Sequence, residues 1–238
     1  MYFLFSGEGA TDLGVCAGSA ATCEGSDYHH GPMTVAVDQV VEARHHYSLL
    51  ETGHYGYVSR RALVEGASRL KAAKKAIRIP GKKRDKETRY FFNNARVLGR
   101  IATGRKDALK DDVVAVLFRD ADTATAGRGT WTHKRQSMLD GFSEEGFARG
   151  VPMIPKPTSE AWVLCALQES PYQGCAALEE RPGTDTPADS LKAALRERLG
   201  HPPSREELCR MVVDRIIDVE RIDMPSFTEF RSGLERVI

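Results

Sequence analysis

Five acidic side chains stand where short apolar segments give way to turns. Glu8 and Asp12 lie in SGEGATD at 6–12, Asp120 and Asp122 in RDAD at 119–122, and Glu160 in PKPTSE at 155–160. With no thiol or imidazole partner in these segments, the set suits hard divalent cations, Mg²⁺ or Mn²⁺, which take oxygen ligands. Asp120 and Asp122 are two residues apart, so on a strand continued past its apolar run they point the same way and repel unless a cation lies between them. Two such ions about 4 Å apart can activate a water and stabilise the leaving oxygen of a phosphodiester. Each acid also has a plainer reading, since Asp favours turns and an acid at a helix start interacts with the macrodipole.

Three strands must carry these acids. VVAVLF at 113–118 is short, apolar and rich in β-branched residues, as expected of a central strand buried on both faces of a parallel sheet. Tyr2–Phe5 and Val151–Ile154 are similar shorter runs. Open α/β sheets bind ligands beyond the carboxyl ends of their strands, so Glu8, Asp12, Asp120, Asp122 and Glu160 are expected to converge on one edge. Glycines on both sides of Glu8 permit a tight turn there. A helix starting at Gly9 would bring Asp12 to the same space. A phosphate-cradling loop fits poorly, because GK[ST] is missing from this turn. Thr158 or Ser159 is predicted to cap a helix over Glu160–Gln168, and Lys156 just before it is placed to neutralise an anionic intermediate.

Between the first two acidic motifs the chain reads as mostly helical. Residues 14–34 form a Gly-, Ala- and Ser-rich loop with Cys16, Cys23, His29 and His30, whose C-x6-C spacing is not that of a zinc knuckle. Helices are predicted over Met33–Leu50, from a Ser59 cap to about Ala76, and over Asn93–Ala102. The stretch 69–89 concentrates positive charge: Lys71, Lys74, Lys75, Arg78, Lys82, Lys83 and Arg84 are set against only Asp85 and Glu87. That is a footprint suited to a phosphate backbone, and Tyr90, Phe91 and Phe92 beside it could stack on bases. Solvated cations and a helical core face are the alternative. Past a helix near Trp131–Asp140, residues 169–189 hold Pro171, Gly174, Pro182, Gly183 and Pro187 and read as a linker. S-x-x-E capping boxes at 204–207 and 226–229 open helices beyond it, with Phe227, Phe230 and Leu234 at helical spacing.

The expected architecture is α/β, a mostly parallel sheet with flanking helices. It comprises a domain over 1–170 with a helical, basic insertion at about 28–110, and a linker with a helical C-terminal appendage over 171–238. A net charge of +1 on 238 residues excludes bulk attraction to polyanions, so any nucleic-acid preference must be local. Five scattered cysteines argue against a disulfide framework, and Met1 leads into YFLF without a basic leader. A reducing cytoplasm is expected, with no membrane partner.

The segments SGEGATD at 6–12, DAD at 120–122 and SEAW at 159–162 resemble the TOPRIM domain of topoisomerases, primases, RNase M5-like enzymes and overcoming-lysogeny-defect nucleases. They are also similar to small stand-alone prokaryotic TOPRIM-like proteins, as is PSFTEF at 225–230. The resemblance implies that Glu8 is a metal ligand or general acid/base, that Asp120 and Asp122 bind metal, and that Asp12 and Glu160 complete a second metal site. It departs from the compact pattern in placing about a hundred residues between the glutamate and the D-x-D pair. It implies a metal-dependent nuclease acting on DNA or RNA, plausibly the effector of a phage-defence system beside an ATPase partner. A non-catalytic or partner-activated sensor subunit of the same fold is the alternative. A haloacid-dehalogenase-type phosphohydrolase would use Asp120 as nucleophile and Asp122 as acid, but Thr123 comes one position too early for D-x-D-x-T.

Overall fold

The computed structural model describes residues 1–75, 86–121, 130–183 and 190–238, the side chains of Ser19, Lys71, Ala73, Lys74, Lys75, Lys86 and Glu87 excepted. Its strands are β1 (Tyr2–Gly7), β2 (Gly14–Cys16), β3 (Thr22–Glu24), β4 (Tyr28–His30), β5 (Tyr55–Val58), β6 (Val113–Phe118) and β7 (Gly150–Met153). Its α-helices are α1 (Pro32–His45), α2 (Leu49–Thr52), α3 (Arg60–Lys75), α4 (Lys86–Leu109), α5 (Trp131–Glu144), α6 (Ser159–Leu167), α7 (Leu191–Leu199), α8 (Arg205–Val213) and α9 (Pro225–Glu235).

The main sheet has the order β3-β5-β1-β6-β7, with β5, β1, β6 and β7 parallel and β3 antiparallel at the edge. Both faces are covered, as the apolar run of β6 requires. Alternate residues serve opposite layers. Phe3, Phe5, Val114, Val116 and Phe118 pack with α1, α6 and the C-terminal helices. Tyr2, Leu4, Val113, Ala115 and Leu117 pack with α3, α4 and α5. The protein is therefore an α/β sandwich of helices around a mostly parallel sheet.

Several expectations change. The segment 28–110 is not simply a helical insertion: it contains β5, the parallel neighbour of β1, registered Phe3 to Tyr55 and Ser6 to Val58. Residues 14–34 carry the β2–β4 hairpin. The cysteines are paired, Cys16 with Cys23 and Cys165 with Cys175, leaving Cys209 as the free thiol. Chain reversal around β2 and β3, and the fold of the 170s back onto α6, bring together thiols that looked scattered. The argument from unpaired cysteines for a reducing compartment therefore falls away.

The stretch read as a linker contains a buried Glu179 and the 3-10 turn Cys175–Glu180, fastened to α6 by the second disulfide. The C-terminal helices do not stand off as an appendage. Trp162 of α6 packs edge-on against Phe227 at 4.9 Å between ring centroids, and its indole Nε1 donates to Ser226 Oγ at 2.8 Å. Ser226 is consequently no helix cap: α9 starts at Pro225 after Met224, and the Ser226 amide donates to Glu179 Oε1 at 2.7 Å. The Ser204 box does cap, accepting from the Glu207 amide at 3.0 Å. No helix among the described residues is long and apolar enough to cross a membrane.

Candidate functional site

The register of β1 on β6 decides where the acids go. Gly7 is level with Phe118, so the next residues, Glu8 and Arg119, emerge side by side. A side chain at Gly7 would meet the Phe118 carbonyl oxygen at 2.4 Å, which is why glycine ends β1 here. Glu8 keeps the parity of Tyr2 and Leu4 and leaves on the face of α3 and α4. Arg119 Nε lies 3.1 Å from Glu8 Oε1, and Arg60 Nη1 of α3 lies 3.8 Å from Glu8 Oε2. The Arg119 guanidinium also lies 4.1 Å from the Tyr90 ring centroid and 4.9 Å from that of Phe91. Its Nε and Nη1 are buried but aligned with no hydrogen-bond acceptor among the described residues, so the contact with Glu8 is an ion pair without a directed bond.

Asp120 leaves on the opposite face. The backbone continues pairing with β7 past the end of β6, the Arg119 amide donating to Met153 O and the Ala121 amide to Pro155 O, both at 3.0 Å. The Asp120 side chain therefore has the parity of Phe118 and meets the start of α6, where Oδ1 accepts from the Ser159 amide at 2.9 Å. Ser159 Oγ in turn donates to Asp12 Oδ1. Asp12 sits in the Gly9–Leu13 turn, closed by its own amide and that of Leu13 donating to Gly9 O at 3.1 and 3.0 Å. Gly9 has φ +87°, and a side chain there would meet the Asp12 carboxylate at 2.4 Å. Asp12 and Glu160 line one cavity of about 470 Å³, and Glu160 Oε2 is buried with no hydrogen-bond partner among the described residues. Buried polar atoms are nearly always satisfied, so this oxygen marks a place for a donor or a cation.

The five acids thus do not meet as one set. Asp12, Asp120 and Glu160 gather around Ser159, Glu8 is on the other face with two arginines, and Asp122 lies outside the described residues. Period-two alternation along β1 and β6 is the cause, because adjacent strands in register send Glu8 and Arg119, not Glu8 and Asp120, to one face. Among the described residues no three His, Cys, Asp or Glu side chains are close enough to encase a metal ion. Mg²⁺ needs no such cage, being held commonly by one or two carboxylates plus water and substrate phosphate. The Asp12–Ser159–Asp120 bracket and the orphan oxygen of Glu160 fit that kind of donor set.

The Lys156 ammonium pairs with Glu180 at 2.7 Å. Lys71, Lys74 and Lys75 belong to α3 with undescribed side chains, while Arg78, Lys82, Lys83 and Arg84 lie outside the described residues. Phe91 is a core residue, 2% exposed, Tyr90 lies against Arg119 and Arg60, and the Arg96 guanidinium lies 5.7 Å from the Phe92 ring centroid, so all three aromatics proposed for base stacking have partners within the fold. Sequence reasoning missed Arg119, Arg60 and Ser159. The only signal for Arg119 was its place at the end of the apolar run, one residue before Asp120. The buried Lys134 of α5, which donates to the Ala121 carbonyl and so anchors the exit from β6, was also unassigned.

Comparison with protein-family models, with curated proteins and with solved structures yields no match.

Proposed function

We propose that the protein is a divalent-metal-dependent hydrolase of phosphodiester bonds in nucleic acid. The observation that carries the reading is the Asp12–Ser159–Asp120 bracket at the carboxyl ends of the central strands, with the buried Glu160 Oε2 beside it, which has no hydrogen-bond partner among the described residues. Asp12, Asp120 and Glu160 are the residues that would hold Mg²⁺ or Mn²⁺. A bound ion supplies Lewis-acid polarisation of the phosphodiester and a more acidic water. Ser159 fixes the two aspartates through one N–H and one O–H, which removes the rotamer freedom they would otherwise lose on binding. Arg119 Nε and Nη1 are buried and, beyond the ion pair with Glu8, have no hydrogen-bond acceptor among the described residues, which suits a phosphate oxygen, and stacking on Tyr90 and Phe91 holds the guanidinium plane in place.

A second reading has its own observation. Glu8, the motif glutamate, faces arginine guanidinium groups, which favours a subunit that becomes active only when a partner releases that carboxylate. The test incubates the purified protein with supercoiled plasmid, tRNA and single-stranded DNA in Mg²⁺, Mn²⁺ or EDTA, with Asp120→Ala and Glu8→Ala alongside. Metal-dependent cleavage lost in Asp120→Ala supports the hydrolase. Cleavage undiminished in Asp120→Ala overturns this site, and no cleavage by the wild type favours the partner-activated subunit.

A further inference from the structure

The cavity that Asp12 and Glu160 line extends well beyond them. Its remaining wall is built from the first turns of several helices: Met33 of α1, Lys192 and Ala193 of α7, and Arg205 of α8, besides Glu160 of α6 itself. Helix N-termini carry partial positive charge and favour anions. Lys192 and Arg196 of α7 bring cationic side chains to the same space, and Arg205 of α8 lines it while its guanidinium pairs with Glu206 at 2.7 Å. Between them Val163, Leu195 and Leu208 provide an apolar surface. Positive charge comes from α7 and α8 and negative charge from the Asp12 turn and α6, so the walls are of opposite sign. A ligand matching this has an anionic group, a flat or apolar body, and a part that tolerates carboxylates when a cation intervenes. At about 470 Å³ the space falls within the usual range for one small-molecule ligand and is far too small for a duplex.

We infer that this cavity binds a single nucleotide unit of the strand being cut. The phosphate is held by Lys192, Arg196 and Arg205, the base lies on Met33, Val163, Leu195 and Leu208, and the next phosphodiester reaches Asp12 and Glu160. The inference rests on the hydrolase reading for its substrate and adds that the substrate is taken one nucleotide at a time, from a single-stranded end or an unpaired position.

The experiment titrates the full chain, in EDTA, with deoxyadenosine 5′-monophosphate, deoxyadenosine and inorganic phosphate by calorimetry. The nucleotide is expected to bind saturably at one site, with the nucleoside and phosphate each weaker by about tenfold or more. Arg196→Glu, at an exposed position, and Leu208→Trp, which fills the cavity, should each weaken nucleotide binding by about tenfold, with far-UV circular dichroism confirming the fold. No saturable binding, or an affinity unchanged in both folded variants, overturns the assignment. If the nucleotide binds as expected but no nucleic acid is cut under any metal condition, the cavity assignment stands and the hydrolase reading fails. If cleavage requires Asp120 while nucleotide does not bind, the hydrolase stands and the cavity assignment fails.

Discussion

Replacing Arg119 with Met, Glu8 with Gln, and then both together isolates the ion pair that the β1–β6 register creates. At 3.1 Å and an effective dielectric of about 20, the direct attraction is about 5 kcal/mol. Desolvation offsets most of it, and the side chains, 22% and 20% exposed, remain partly screened by water. Without a directed hydrogen bond the charge-assisted contribution is also missing. A coupling energy of about 1–2 kcal/mol is expected from the double-mutant cycle, between the values typical of exposed and of buried pairs. The Arg119→Met variant alone should lose more, about 2–3 kcal/mol, because it also gives up contacts with the Tyr90 and Phe91 rings. Urea unfolding of the four proteins at low salt measures these quantities, and for a chain of 238 residues each kcal/mol corresponds to about 2–4 °C in Tm. A coupling below about 0.5 kcal/mol would refute the claim that Arg119 holds Glu8. The Arg119→Met variant also separates the two functional readings. Cleavage should fall if Arg119 binds phosphate, and should rise if Arg119 restrains Glu8 until a partner releases it.

Two further outcomes test the packing. Trp162→Phe removes the hydrogen bond to Ser226 and part of a fully buried ring between α6 and α9, and should cost about 1–3 kcal/mol in urea unfolding; a loss under about 0.5 kcal/mol would mean that α9 is not anchored there. Burial pushes the Cys209 thiol up to about 11, so the thiolate becomes the major form only above that pH. Alkylation of the non-reduced native protein should therefore label one thiol, with a rate rising about tenfold per pH unit from about 7 to 10. A plateau near pH 9, or more than one labelled thiol, would contradict the burial or the disulfides.

Much of the fold was legible in local sequence. VVAVLF reads as a doubly buried strand, and the structure makes it β6 with the α-helical layers on both sides. Ser59 and Ser204 announced helix starts that the structure shows, since a capping side chain needs only its own next residues. β5 was illegible because YGYV, with a glycine inside it, has little apolar signal of its own and becomes a strand by pairing with β1 and β3. Ser226 satisfied the capping-box pattern and was still drawn to Trp162 and Glu179, a tertiary demand that no four-residue window contains.

The same division holds at the candidate site. Sequence alone determined which residues end the strands, and therefore that Glu8, Asp12, Asp120 and Glu160 would stand at the carboxyl edge of the sheet. Only the tertiary structure decided which face each took. Strand parity is fixed by local geometry, but which residues stand side by side depends on the offset between strands remote in sequence, and a shift of one residue would exchange every partner. The register that sets Gly7 level with Phe118 gave Glu8 to Arg119 and left Asp120 to Ser159 and Asp12.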